Sequence, residues 1–88
     1  MSYIVYVLES MRDHLRYIGF AQNLANRLKE HNDGRNISTR NKGPWSVLYW
    51  ETLPTRLLAQ RREKFFKSGR GKEALRNLLN NRVKYVGT

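Results

Sequence analysis

Tyr3-Ile4-Val5-Tyr6-Val7-Leu8, followed after a polar turn by Leu15-Arg16-Tyr17-Ile18-Gly19, decides the fold of this chain. The first run is apolar, β-branched and aromatic, the composition of a buried strand. Alternation puts Tyr3, Val5 and Val7 on one side and Ile4, Tyr6 and Leu8 on the other. Glu9 to His14 is polar and reads as a turn, so the second run returns beside the first as a hairpin. Gly19 either ends the second strand or lets another group come close to its backbone.

Outward from the hairpin, Asn23 is placed to cap a helix that runs to about Asn32, with Leu24 and Leu28 as its apolar stripe and Gly34 as its stop. At roughly 100° per residue, His31 falls about 20° and Arg27 about 60° from Leu24, so both flank the buried stripe. Arg35 to Pro44 is a polar loop. Trp45 to Glu51 reads as a third strand, with Trp45, Val47 and Tyr49 on one side and both tryptophans, Trp45 and Trp50, in the core. Pro54 opens a long helix, as proline does at a first turn. Its stripe is Leu58, Phe65 and Phe66, with Ala59 at the edge and Glu63 on the margin. Ser68-Gly69-Arg70-Gly71 breaks that helix. A last one follows from about Lys72 to Asn80, with Leu75, Leu78 and Leu79 inward. Residues 1–80 form the expected domain and residues 81–88 a short C-terminal tail. The order β-β-α-β-α-α gives an α+β fold, a small, mostly antiparallel three-stranded sheet flanked by helices that cover one face.

Composition narrows the function. The 88 residues carry 17 Lys and Arg against 7 Asp and Glu, a net charge of +10. That excess calls for a polyanionic partner, and nucleic acid is the default. A hydrophobic content of 40% is too high for a disordered chain. With no cysteine, disulfides and thiolate metal sites are excluded. No apolar run approaches the roughly 18 residues of a membrane helix, and the N-terminus lacks the features of a signal peptide, so a cytoplasmic location is expected. One small core uses most of the apolar residues, so a monomer is expected. A chain of this size leaves no room for a separate target-recognition domain, which implies little sequence preference.

Tyr6, then Tyr17-Ile18-Gly19, then Arg27 within Asn26-Arg27-Leu28-Lys29-Glu30-His31, resembles the GIY-YIG nuclease superfamily. The later stretch Arg61-Arg62-Glu63-Lys64-Phe65-Phe66-Lys67-Ser68-Gly69-Arg70-Gly71 is similar to its short stand-alone, UvrC-like members. The resemblance implies an endonuclease that hydrolyses DNA phosphodiester bonds with a divalent cation, Mg²⁺ or another such as Mn²⁺, and it is compatible with a role in repair or recombination. It implies that Tyr17 helps deprotonate the attacking water, with Tyr6 as its partner. Arg27 then holds the scissile phosphate, His31 stands beside the reacting phenol, and Glu63 is the single protein ligand to the metal. Two positions depart from the pattern. Ile4-Val5-Tyr6 lacks the first motif's glycine, and Phe20 stands where repair enzymes carry a lysine near the phenol.

The chemistry of these residue types agrees with those roles. Mg²⁺ prefers oxygen ligands, keeps several waters and needs only one or two carboxylates. The planar fork of arginine binds phosphate oxygens in pairs. Each residue also has a plainer reading. Glu63 can pair with Lys67 one turn on, worth about 0.3–0.5 kcal/mol, and His31 can be a helix-end residue at the core edge. Arg35, Arg40, Lys42, Arg62, Lys67, Arg70 and Lys72 are candidate nucleic-acid contacts. Gly69-Arg70-Gly71-Lys72 lacks the strand, the spacing and the Ser/Thr of a phosphate loop, so no nucleotide cofactor is expected. The alternative function is a catalytically weak or inactive nucleic-acid-binding domain that keeps the nuclease fold, and Phe20 is the residue that favours it.

Overall fold

β1 (Tyr3–Ser10) is the central strand, with β2 (Arg16–Ala21) on one side and β3 (Trp45–Leu53) on the other, both antiparallel to it. The structure, a computed structural model, describes residues 1–86, with side chains through residue 81. α1 (Leu24–Asn32) joins β2 to β3, and α2 (Arg56–Lys67) and α3 (Gly69–Val86) follow. The element order and fold class are those read from the sequence. β2 and β3 end later than expected because Ala21 and Leu53 still pair with Ile4 and Tyr3, and β1 runs on to Ser10, which is fully buried and organises the turn after it. Its hydroxyl accepts from the backbone N–H of Asp13 and donates to the carbonyl of Lys42 at 2.6 Å.

Helices cover both faces of the sheet rather than one. Val5 and Val7 turn towards α2 and α3, where they pack with Ala59, Phe66 and Leu75. Tyr6, Leu8, Ala21 and Trp45 form a second core on the other face, closed by Leu24 and Leu28 of α1. Burying a side chain such as Phe66 contributes roughly 1.5–3 kcal/mol, so the α2 face supplies much of the scaffold's stability. The strict alternation of β1 assigns each residue to one core or the other.

β3 breaks that alternation. Val7 faces Tyr49 and Leu8 faces Val47, so Leu48 is an extra residue in the ladder, a β-bulge. Trp45 and Val47 therefore join the Tyr6 core, whereas Tyr49 packs edge-on against Phe66 in the other. The expectation that Tyr49 shares a side with Trp45 and Val47 fails for this reason. Trp45 is buried as expected, but Trp50 is 53% exposed.

α2 starts two residues after Pro54, because Thr55 is its cap and accepts from the N–H of Leu58. That start sets the face that meets the sheet. Ala59 and Phe66 are fully buried, whereas Leu58, expected in the stripe, is 41% exposed. Ser68 alone separates α2 from α3: its hydroxyl donates to the carbonyl of Phe65 and accepts from the N–H of Gly71. α3 thus begins at Gly69, earlier than Lys72, and runs past Asn80 to Val86. Of the tail expected over 81–88, residues 81–86 continue this helix, and residues 87–88 lie outside the described residues. Among the described residues, no helix is long and apolar enough to cross a membrane.

Candidate active site

Tyr6 and Gly19 are direct partners across the β1–β2 ladder. A Cβ on Gly19 would stand 2.7 Å from the Tyr6 hydroxyl oxygen and 3.1 Å from Cε1 of Tyr17. Glycine is present so that two phenol rings can lie against its backbone, which selects the close-approach reading of this residue. Tyr17 shares that face of β2, with its ring centroid 6.4 Å from that of Tyr6. Tyr6 is buried and Tyr17 half-buried.

α1 brings His31 to the same point. Asn23 caps the helix start by accepting from the N–H of Asn26, and Gly34, at φ +78°, closes its end. The His31 ring is 2% exposed. Its Nε2 lies 3.1 Å from the Tyr6 hydroxyl and its Nδ1 2.8 Å from the hydroxyl of Thr39. The Tyr17 ring packs against it, centroid to centroid, at 4.7 Å. Asn32 ties this end of α1 to β3: its side chain accepts from the backbone N–H of Trp45 at 2.7 Å and donates to the Trp45 carbonyl. The histidine is therefore a fixed part of the site.

Burial also sets the charge state. Desolvation, together with the neighbouring Tyr17, pushes the Tyr6 hydroxyl well above the usual phenol value, and the nearby Arg27 guanidinium only partly opposes this. His31 is held below the usual imidazole value by burial first and by Arg27 second. Both groups are thus neutral near pH 7. Arg27 acts on both electrostatically from α1, and no ion pair engages it among the described residues.

Glu63 projects from α2, and its negative charge is felt at Tyr6. Its carboxylate is partly covered, 22% exposed, and accepts from Lys67 Nζ at 3.0 Å. The described residues hold no cluster of three or more metal-ligating side chains. Mg²⁺ does not need one: a single carboxylate, several waters and substrate phosphate oxygens make an ordinary donor set for it. The partly covered Glu63 carboxylate fits that role, with Lys67 as a cation that a bound metal would displace.

Beside Tyr17 opens a cleft of about 650 Å³ lined by Arg16, Ile18, Ser38, Lys67, Lys72 and Arg76. The expected nucleic-acid contacts divide around it. Lys67 and Lys72 line the cleft, and Arg35 lines a smaller pocket of about 130 Å³ with Arg27 and His31. Lys42 and Arg70 are exposed elsewhere, and Arg40 donates to the carbonyl of Gly34. Arg62, expected at a phosphate, is tied down instead. It pairs with Glu51 at 2.9 Å and lies over the Phe66 ring at 4.5 Å.

Arg16, Arg76 and Thr39 were missed by sequence reasoning. The two arginines sit in segments read only for their apolar pattern, and Thr39 sits in a loop read only for its charge. Phe20 also has a different meaning in three dimensions. It leaves β2 on the face opposite Tyr17, packs edge-on against Tyr3 and carries the Arg56 guanidinium over its ring. It is a core residue of the α2 face and leaves no gap beside the phenol.

Residues 2–80 match the GIY-YIG catalytic domain. A UPF0213 protein of Clostridium perfringens is 33% identical over 85 residues, which cover 96% of this chain and 89% of the relative. One of Bacillus licheniformis is 40% identical over 67 residues, 75% of this chain and 68% of the relative. The solution NMR structure of a UPF0213 protein from Bacillus halodurans is similar at a TM-score of 0.54 and 33% identity, covering 89% of this chain and 85% of that one. With its paired tyrosines meeting over Gly19 and a domain match along nearly its whole length, this chain belongs to the GIY-YIG family.

Proposed function

We propose that this chain is a metal-dependent endonuclease that hydrolyses DNA phosphodiester bonds with little sequence preference. The observation that supports this most is the packing of Tyr17 against a buried, doubly hydrogen-bonded His31 at the wall of a cleft lined with four cations. A structural tyrosine pair needs neither the buried imidazole nor the cations. DNA intermediates of repair or recombination are the substrates that the resemblance suggests.

In this reading Arg16, Lys67, Lys72 and Arg76 attract the phosphate backbone, which they position without reading sequence. Arg27, which lines a pocket with His31, grips the scissile phosphate through paired N–H donors. Tyr17 first releases its own phenolic proton to solvent, and as the phenolate it orients the attacking water and takes that water's proton. The oxygen–phosphorus bond then forms as the bond to the leaving sugar oxygen breaks. Tyr6 and His31, both neutral, hold Tyr17 in place. Glu63 would hold Mg²⁺ or Mn²⁺, and the chemistry such a metal would supply is polarisation of the phosphoryl oxygens and relief of charge on the leaving oxygen.

The test is cleavage of labelled branched, single-stranded and plasmid DNA in Mg²⁺, in Mn²⁺ or in EDTA. Metal-dependent cutting that disappears in Glu63→Ala and Tyr17→Phe is the expected result. A second reading, a nucleic-acid-binding domain with little or no catalysis, is favoured by the pairing of Glu63 with Lys67, which already occupies the carboxylate. It predicts salt-dependent binding with no cutting of any substrate, RNA included.

A further inference from the structure

We propose that Thr39 is a positioning residue whose hydroxyl fixes His31 in the Nδ1–H tautomer, leaving Nε2 to accept the Tyr6 hydroxyl proton in a hydrogen bond. The inference deepens the nuclease reading, and rests on it only where activity is measured.

Thr39 is 1% exposed, and its hydroxyl oxygen lies 2.8 Å from Nδ1 of His31. The same oxygen lies 3.5 Å from the carbonyl oxygen of Asn36, a group that only accepts. A hydroxyl proton turned to Asn36 leaves a lone pair facing the imidazole. Nδ1 must then carry the ring proton and Nε2 the lone pair. The other end of the ring requires the same assignment. At 2% exposure, the Tyr6 hydroxyl needs an acceptor, and Nε2 at 3.1 Å supplies it. In the reverse tautomer Nε2–H would donate to the Tyr6 oxygen, and the buried phenol proton would lose this acceptor.

Thr39 is itself held rigidly. Its carbonyl accepts from the indole N–H of Trp45 at 3.1 Å, and its backbone N–H donates to Asn36. Trp45 in turn is clasped by Asn32, the neighbour of His31. The array is closed, so the imidazole has one orientation and one tautomer. Because both Tyr6 and His31 resist charging, it aligns hydrogen bonds and does not carry a proton. Its chemical effect falls on Tyr6. With its proton committed to His31, the phenol oxygen has only acceptor capacity left. It can accept from the Tyr17 hydroxyl or from the attacking water, and it cannot donate to a phosphate oxygen.

The test reads the His31 ring nitrogens by ¹⁵N NMR on the full chain, free of metal, in wild type, Thr39→Val and Thr39→Ser. Protonated Nδ1 is expected in wild type and in Thr39→Ser, and protonated Nε2 or a mixture in Thr39→Val. In Mg²⁺-dependent cleavage, Thr39→Val should lose about tenfold or more in kcat with KM little changed, and Thr39→Ser should recover most of it. Protonated Nε2 in wild type overturns the proposal. So does a folded Thr39→Val with native tautomer and native kcat, or a kcat loss that folded Thr39→Ser does not recover. If Thr39→Val does not fold, the wild-type spectrum still decides. Protonated Nδ1 in a protein that cuts nothing would sink the nuclease reading and leave this one standing.

Discussion

The hydroxyl of Tyr6 occupies the space into which a side chain on Gly19 would project. One glycine hydrogen thus separates two phenols that must sit side by side. Gly19→Ala would drive a methyl group into the Tyr6 ring, and Tyr6 cannot retreat because His31 and α1 lie behind it. The expected cost is about 1–3 kcal/mol of stability from overpacking, with loss of cleavage. Urea unfolding and plasmid nicking on the same preparation check this. Wild-type behaviour in both would mean that the ring is free to move.

Tyr17→Phe removes one oxygen at the wall of the cleft and leaves the ring against His31. Stability should change little, and cleavage should fall roughly 10²–10⁴-fold, the usual range for a group that moves a proton. Single-turnover assays at saturating protein separate this from weakened binding.

The two buried neutral groups define a pH window for stability. The folded protein binds the His31 proton less tightly than the unfolded chain, because burial and Arg27 oppose it and the nearby Glu30 only partly compensates. The His31 contribution is therefore complete above the unfolded value of about 6.5 and is lost as the pH falls below it. The Tyr6 phenol is raised by burial and by Tyr17, Glu63 and Glu30, against Arg27, so its contribution is complete below about 10 and is lost above that. Urea midpoints should plateau between these limits. His31→Gln should flatten the acid side and leave the alkaline side.

Arg62 and Arg76 should behave in opposite ways. Arg62 pairs with Glu51 and covers two phenylalanine rings, so Arg62→Ala should lower the melting temperature and leave the salt dependence of DNA binding nearly unchanged. Arg76→Ala should leave melting nearly unchanged and reduce the slope of log affinity against log salt by about 1. Anisotropy titrations at several salt concentrations read both.

Two glycines of α3 form a further contrast. A Cβ on Gly71 would run into the Phe65 carbonyl and lie 2.7 Å from Cα of Phe66, whereas one on Gly69 meets nothing within 4 Å. Gly71→Ala should cost roughly 1–3 kcal/mol or more. Gly69→Ala should be neutral or stabilise by up to about 1 kcal/mol, since alanine is the better helix former. Thermal melts of the pair give opposite signs.

The strands and the α1 caps were legible because local patterns determine them, and the meeting of Tyr6, Tyr17 and His31 was legible through the family resemblance. Alternation placed Tyr6 opposite Val5 and Val7, and helical spacing put His31 near the buried stripe of α1. What escaped depends on contacts distant in sequence. Trp50 reads as core until the register leaves it on the rim, and Leu58 reads as core until Thr55 sets the phase of α2. Phe20 reads as a defect beside Tyr17 until strand geometry turns it to the other face. Thr39 carries no signal at all in a polar loop, and its partner His31 is eight residues away along the chain.

The extra residue at Leu48 makes β3 a strand with two allegiances. Its first half, through Trp45, secures the loop that presents Thr39, and its second half, through Tyr49, locks onto Phe66. Deleting Leu48 would restore regular pairing and force one half to face the wrong way. Either the reactive wall would lose its anchor or the scaffold would lose an aromatic wedge, so a single residue of slack lets one strand serve durability and reactivity at once.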